Sequence, residues 1–338
     1  MSEKIEKKIV CFGVRDYEKP YFEKLGKQYG YELVLRPEYL NDNILDLAKG
    51  YQIVMVRGNC NVSASGRKYL HDNGLRYYLT RTAGYNHVDV NACKELGIET
   101  AFVPGYSPNA ISELALTLAR SLLRNVAYTT DQTHNGHFKV TNQMLSREVR
   151  GCTVGIIGCG RIGCTTASLF KGLGAKVIGY DVFQSDKAKE LVEFEDVDSI
   201  FKDADIGICH RAYFKGKNDN FINAEKINER KDGSILVNVA RGQVLDTQAA
   251  VDAVKSGKLA RLGLDVISDE KNLFNHDFDP KHRDTPLHQE IVDLYPRVLI
   301  TPHVGSATDL ALVDRIEISL KNRDEYLATG HCENSLIK

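Results

Sequence analysis

Three glycines stand at positions 158, 160 and 163 in VGIIGCGRIG, directly after the apolar run Val154 to Ile157. A strand that turns sharply into a helix aims backbone N–H groups outward, and an anion can settle on that helix N-terminus. Gly158 would make the turn. Gly160, with no Cβ, would let a phosphate approach the backbone, and Gly163 would let the helix pack close to the strand. RIGCTTASLFKGLG then reads as a helix, and AKVIGYD as a second strand ending on Asp181. Asp181 lies 18 residues past Gly163, about where a carboxylate accepts from adenosine ribose hydroxyls. Its charge would repel a 2′-phosphate, and VFQS after it offers no arginine to receive one. The pattern therefore predicts NAD rather than NADP.

Three further side chains stand at or beyond strand ends: Arg241 in NVARGQ, Glu270 in DVISDE and His303 in TPHVG. Open α/β sheets bind ligands beyond the carboxyl ends of their strands, so all three should project toward the cofactor crevice. Taken singly, each has a plainer reading. Arg241 could pair with a surface acid, Glu270 sits in an acidic loop, and His303 could be a satisfied structural histidine.

The elements that would carry these residues alternate along the whole chain. KIVCFGV, ELVLRP, IVMVRG, YYLTRT and ETAFVP read as strands, and PYFEKLGKQYG, NDNILDLAKG and VDVNACKELG as helices. From Thr153 the alternation restarts with six strands, TVGIIG, AKVIGYD, IGICH, SILVNVAR, LGLDV and VLITPH. Strands separated by helices predict doubly wound parallel sheets. Between the two regions, Ser107 to Val126 is predicted as one long helix, apolar on several faces and therefore buried between domains or subunits. The polar connection from Ser268 to Pro296 is long enough to be functional.

Composition narrows the class. At 338 residues two domains are expected. The net charge of −1 and the lack of a dense basic block argue against nucleic acid or an anionic membrane as partner. No apolar run is long enough to span a bilayer, and the charged start MSEKIEKKIV has no apolar signal core. Eight cysteines without a C-x-x-C pair or zinc spacing predict reduced, mostly buried thiols in the cytoplasm and no metal. Cys159 lies inside the glycine loop, where a thiol could meet oxidants.

The stretches RTAGYNHVD, VPGYSPNAISELA, TVGIIGCGRIG, KDGSILVNVARGQVLDT, SGKLARLGLDV and VLITPH resemble those of the NAD-dependent D-2-hydroxyacid dehydrogenases. The resemblance covers nearly the whole chain. It implies a Rossmann cofactor domain, 105–303, inserted into a flavodoxin-like substrate domain formed by 1–104 and 304–338. It also implies that Arg241, Glu270 and His303 are catalytic. Hydride arriving at a 2-oxo acid puts negative charge on the carbonyl oxygen. A guanidinium can fork onto the substrate carboxylate and polarise that oxygen. An imidazolium can deliver the proton, and a nearby carboxylate favours the charged ring and fixes its orientation.

By the same resemblance, Gly158, Gly160, Arg161, Ile162, Gly163, Asp181, Arg211, Ala212, Asn218, Val239, Ala240 and Asp265 are expected around the cofactor. Asp265 would hold the nicotinamide carboxamide. Ala83 and Gly84 would receive the substrate carboxylate on their N–H groups, with Tyr106 and Arg241 also at the substrate. Two departures stand out. Arg211 and Ala212 follow His210 where the family usually has a proline, and TPHVGSAT lacks the aromatic found in many D-lactate dehydrogenases.

Arg57 ends the strand IVMVRG, and the RGNC and TPH-x-GS features are most like (R)-2-hydroxyglutarate dehydrogenases. An arginine there suits a second substrate carboxylate, with Arg81 and Arg211 adding to the positive field. The expected activity is therefore reduction of 2-oxoglutarate to (R)-2-hydroxyglutarate with NADH. The alternatives are D-lactate, (R)-2-hydroxyisocaproate or aromatic 2-hydroxy acids, or an NADH-sensing protein resembling the family's corepressors. Only 35 residues follow His303, so no regulatory extension is expected. A homodimer through the Ser107–Val126 helix is the family expectation.

Overall fold

The computed structural model describes residues 7–270, 273–274, 276–278 and 285–337. The chain divides into two compact units, Met1–Ser107 with Ala307–Lys338, and Pro108–Ser306.

The first unit is built on five parallel strands: β1 (Lys8–Cys11), β2 (Glu32–Leu35), β3 (Ile53–Val56), β4 (Tyr77–Thr80) and β5 (Glu99–Ala101). Their order is β2-β1-β3-β4-β5, the flavodoxin-like order. Along β1 the side chains alternate between two cores. Ile9 and Cys11 join one, and Val10 and its successor Phe12 join the other. A parallel sheet covered on both faces needs such continuous apolar runs, which is why they read so plainly as strands. Helices α1 (Lys19–Tyr29), α2 (Ala64–Asp72) and α3 (Val90–Leu96) connect the strands. The late helix α12 (Asp309–Thr329) returns to the unit and adds Ile316, Leu320 and Tyr326 to the core that holds Ile9.

The second unit has seven parallel strands: β6 (Thr153–Ile157), β7 (Lys176–Tyr180), β8 (Glu193–Phe194), β9 (Ile206–Cys209), β10 (Ser234–Asn238), β11 (Leu259–Leu264) and β12 (Val298–Ile300). The order is β12-β11-β10-β9-β6-β7-β8. It reverses between β6 and β9, the switch point beyond whose strand ends a doubly wound sheet binds its ligand. The helices are α4 (Pro108–Leu123), α5 (Val126–His134), α6 (Arg161–Gly172), α7 (Asp186–Leu191), α8 (Val197–Asp203), α9 (Ala224–Glu229), α10 (Thr247–Ser256) and α11 (Pro286–Asp293). No helix among the described residues is long and apolar enough to cross a membrane.

Four readings need correction. NDNILDLAKG forms only a single 3-10 turn, Leu45–Ala48. Its polar start is spent elsewhere: Asn41 bridges to Asn61, and the Asp42 carboxylate accepts from the Ser63 N–H. The Ser107–Val126 helix breaks at Asn125, whose φ of 54° is left-handed, and α5 begins after it. Within the unit α4 buries one face only, through Ala115, Leu118, Ala119 and Leu122, while Glu113, Thr117 and Arg120 are exposed. A seventh strand, β8, joins the six read from the sequence. The 268–296 connection contains α11, and its residues 271, 272, 275 and 279–284 lie outside the described residues.

Candidate active site

In the second unit the glycine turn leaves β6 at Gly158, with φ at 96°, a region open mainly to glycine. A Cβ at Gly158 would stand 2.8 Å from the Arg211 backbone nitrogen, so the turn presses against the end of β9. A Cβ at Gly163 would meet the Gly158 carbonyl at 2.0 Å, so α6 starts directly on the turn. Gly160 is exposed and a Cβ there would meet nothing. It also caps α6 without a side-chain bond, leaving the first-turn N–H groups of Arg161, Ile162 and Gly163 for an anion.

Asp181 follows β7. Its Oδ2 accepts from the Cys159 N–H at 2.6 Å and its Oδ1 from the Phe183 N–H at 3.2 Å. The acid expected at the ribose therefore also braces the glycine turn. Cys159 is buried, not open to oxidants. Burial and then the Asp181 charge push its thiol up to about 12, far from the reactive thiolate.

The Arg211 guanidinium sits over the Phe221 ring at 4.2 Å and over Tyr180 at 5.7 Å. A cation–ring contact thus stands where a proline was expected. His210 shares a 2.8 Å hydrogen bond with the Thr166 hydroxyl, and burial brings its ring down to about 3. The Asn218 side chain is used within its own loop. It accepts from the Phe214 N–H and donates to the Ala212 carbonyl, both at 2.7 Å.

His303 and Glu270 meet in the same unit. Nδ1 of the imidazole and Oε1 of the carboxylate lie 2.9 Å apart, both partly exposed. Such a pair holds the ring's far nitrogen free to exchange a proton. His303 itself sits at φ 53°, a costly left-handed geometry for a residue with a Cβ. Arg241 is exposed at the end of β10, its Nη1 donating to the Ala240 carbonyl. The turn after it is fixed by close packing. A Cβ on Gly242 would stand 1.9 Å from the Ile267 carbonyl carbon.

In the first unit Ala83 and Gly84 follow β4, and their N–H groups donate to nothing among the described residues. The Gly84 carbonyl is fixed by the Thr82 hydroxyl at 2.7 Å, which turns the loop. Arg57, one residue past β3, stands 3.8 Å from Glu18. Arg81 is not a free contributor to a positive field. It is buried against Glu18 at 2.9 Å and against the Phe12 and Gly13 carbonyls.

The sequence and the fold both have known counterparts. The family model for the D-isomer specific 2-hydroxyacid dehydrogenase NAD binding domain matches residues 116–305. An aromatic 2-oxoacid reductase of Clostridium sporogenes is 37% identical, covering 98% of this chain and 99% of the relative. The chain is a D-2-hydroxyacid dehydrogenase. Among solved structures, a D-lactate dehydrogenase from Treponema pallidum is 32% identical with a TM-score of 0.88, covering 98% of this chain and all of the other. A D-isomer specific 2-hydroxyacid dehydrogenase from Lactobacillus delbrueckii ssp. bulgaricus, solved with NAD, is 29% identical with a TM-score of 0.85, covering 97% and 99% of the two chains. NAD is the cofactor, and the glycine turn, the open Gly160 and Asp181 fit it.

Two residues of this dehydrogenase were missed or underread. Asn238, fully buried at the end of β10, was not singled out. It accepts from the Ala240 N–H and donates to the Arg241 carbonyl, and so shapes the arginine's turn. Asp265 was read only as a cofactor contact, yet its side chain organises the residues after His303. A polar residue ending an otherwise apolar strand was the available signal in both cases.

Proposed function

We propose that this dehydrogenase reduces 2-oxoglutarate to (R)-2-hydroxyglutarate. The observation that carries the substrate is the surplus of positive charge in the first unit. Glu18 is fully buried and already satisfied by Arg81 and by the Arg15 N–H at 2.8 Å. Arg57 at 3.8 Å is left with a buried Nη1 that has no hydrogen-bond partner. An unmet buried donor costs about 1–3 kcal/mol unless a ligand satisfies it. A distal carboxylate would.

In this reading NADH supplies the hydride to the carbonyl carbon. His303 gives the proton to the carbonyl oxygen, and Glu270, 2.9 Å from its Nδ1, holds its ring in place. Arg241 forks onto the substrate carboxylate and polarises the carbonyl oxygen. In the first unit the Ala83 and Gly84 N–H groups, which donate to nothing among the described residues, and Tyr106 are the expected substrate contacts. The cofactor is held by Gly158, Gly160, Arg161, Ile162, Gly163 and Asp181, with Arg211, Ala212, Asn218, Val239, Ala240 and Asp265 around it. The cofactor role belongs to the inserted domain, 105–303, and the substrate role to 1–104 with 304–338.

A second reading is an aromatic or aliphatic 2-oxo acid, favoured by the 37% identity to a protein named aromatic 2-oxoacid reductase. NADH oxidation with 2-oxoglutarate, phenylpyruvate, 2-oxoisocaproate and pyruvate tests both. The highest kcat/KM should fall on 2-oxoglutarate. A preference for any uncharged acid replaces that assignment, and no turnover with any acid would favour a cofactor-sensing protein.

We further assign a homodimer to the outer face of α4 and α5. No residue of α5 is buried, and Phe138, Val140 and Leu145 are 77%, 81% and 85% exposed. A groove of about 470 Å³ lies alongside, lined by Leu116, Thr117, Arg120 and Val126. Light scattering should give twice the monomer mass. All eight cysteines are free and buried, which supports a reducing, cytoplasmic setting.

A further inference from the structure

Arg315 lies on α12, and only 4% of it is exposed. Its guanidinium stacks over the Tyr106 ring at 5.2 Å. Its recorded hydrogen bond runs from Nε to the Ala311 carbonyl, one turn back on its own helix, at 3.2 Å. No carboxylate among the described residues pairs with it. The neighbouring Asp314 accepts from the Ser107 N–H instead.

Two other buried arginines of this unit tie down backbone carbonyls, and Arg323, whose guanidinium nitrogens have no hydrogen-bond partner, is compensated by its neighbours. Arg67 ties the Val62 and His87 carbonyls, and Arg81 ties Glu18 and the Phe12–Gly13 turn. Arg323 stacks on Tyr77 at 3.9 Å, and its electrical neighbours are Tyr77, Tyr31 and Asp324, all of which favour its charge. Arg315 differs. Burial disfavours its charge most, Tyr106 offsets this, and the cations Arg57 and Arg81 disfavour it again against the single acid Glu18. Arg57 and Arg81 already lie against Glu18, which leaves Arg315 with no carboxylate of its own among the described residues. The turn of α12 around Arg315 also carries buried Ala311, Leu312 and Ile316, a setting in which an apolar side chain would cost less.

We infer that Arg315 is a specificity-determining residue that receives, together with Arg57, an anionic group at the far end of the substrate. The inference rests on the 2-oxoglutarate reading and extends it from one cation to two. Two guanidinium forks on either side of a carboxylate leave few of its lone pairs unmet. They disfavour an uncharged side chain, which would leave the buried Arg57 Nη1 without a partner and Arg315 without a counter-charge. Tyr106, under the Arg315 guanidinium, keeps that fork flat.

The test is kcat/KM with NADH for 2-oxoglutarate and 2-oxoisocaproate, in the intact enzyme and in Arg315→Met, Arg315→Lys and Arg57→Met, alongside melting temperatures. Arg315→Met should lose about 10- to 100-fold with 2-oxoglutarate, chiefly through KM, and stay within about threefold with 2-oxoisocaproate. Its melting temperature should hold or rise, because an unpaired buried cation has gone. Arg315→Lys, which keeps the charge without the fork, should lose less and only with 2-oxoglutarate. Equal losses on both acids, or unchanged constants for 2-oxoglutarate, overturn the inference. If Arg315→Met does not fold, the same comparison on Arg315→Lys decides it. If the intact enzyme prefers 2-oxoisocaproate, the 2-oxoglutarate reading has failed by itself. Glutarate, a dicarboxylate with no reducible carbonyl, then serves as an inhibitor probe. Weaker inhibition of Arg315→Lys than of the intact enzyme sustains the anion site, and equal inhibition overturns it.

Discussion

The backbone carbonyl of Asp265 accepts from the N–H of His303 at 3.0 Å, so the residue after β11 holds a residue three past the end of β12. The side chain of the same aspartate completes the clamp. Oδ1 accepts from the Thr301 hydroxyl at 2.6 Å and the Val304 N–H at 2.9 Å, and Oδ2 from the Gly305 N–H at 2.9 Å. Burial pushes the Asp265 carboxyl up, and these donors pull it back down. Asp265→Ala would leave buried donors unmet, at about 1–3 kcal/mol each. The variant should unfold at clearly lower urea and lose kcat by at least about tenfold as His303 loses its position. Near-normal turnover would show that His303 does not depend on this clamp.

His303 itself separates two effects. His303→Ala should lower kcat by about 10²–10⁴-fold while NADH still binds. Because φ is 53°, alanine keeps the strain that glycine would release, so His303→Gly should be equally inactive but more stable by about 1 kcal/mol. Glu270→Gln keeps a hydrogen-bonding partner and loses the charge, so a milder loss of about 10–100-fold in kcat is expected. Single-turnover rates and denaturant midpoints check all three. Full activity in His303→Ala would remove the histidine from the chemistry.

Two glycines of one turn should respond oppositely. Gly160→Ala meets open space, so the melting temperature should hold while the Kd for NADH rises at least about tenfold, a methyl now standing where the phosphate approaches. Gly163→Ala meets the Gly158 carbonyl at 2.0 Å, so it should destabilise the fold itself. Calorimetry with and without NADH distinguishes them. Unchanged NADH affinity in Gly160→Ala would mean that the phosphate lies elsewhere.

Acid should weaken the second unit before its carboxylates titrate. The folded protein holds His210 down at about 3, against about 6.5 for the unfolded ring. Between those values the unfolded chain binds a proton that the folded chain refuses. Stability therefore rises with pH through this window and is lost as pH falls below about 6.5. His87, brought to about 4 by burial and then Arg67, acts in the same direction in the first unit. Urea midpoints should fall between about pH 7 and pH 5, and His210→Gln should flatten the slope. A flat wild-type profile over that range would contradict the reading.

What could be read from the sequence was what one contiguous stretch encodes. Gly158, Gly160, Gly163 and Asp181 belong to a single strand–turn–helix–strand unit, and the buried parallel strands are unbroken apolar runs. The polar β8, Glu193–Phe194, is two residues long and exists only because β7 offers it a partner. The caps of NDNILDLAKG gave a false helix because the Asn61–Ser63 segment claimed them. Asn238 and Arg315 looked ordinary because their meaning lies in residues brought near by folding. A buried asparagine is a clamp only once the Arg241 turn wraps it, and a helix arginine is surplus charge only once Arg57 and Arg81 arrive.

The five strands of the first unit all come from before Ser107, yet α12, which covers one face of their sheet, comes after Ala307. About 200 residues separate the two, and at about 5–20 residues per second their synthesis takes roughly ten to forty seconds. Through that interval Ile9, Cys11, Ile53 and Met55 lack their core partners Ile316, Leu320 and Tyr326. The second unit is complete in sequence at Ser306, before the segment that completes the first. Until α12 has been made, that face of the sheet has no cover of its own, so a nascent chain stalled before Ala307 exposes an apolar surface to its neighbours.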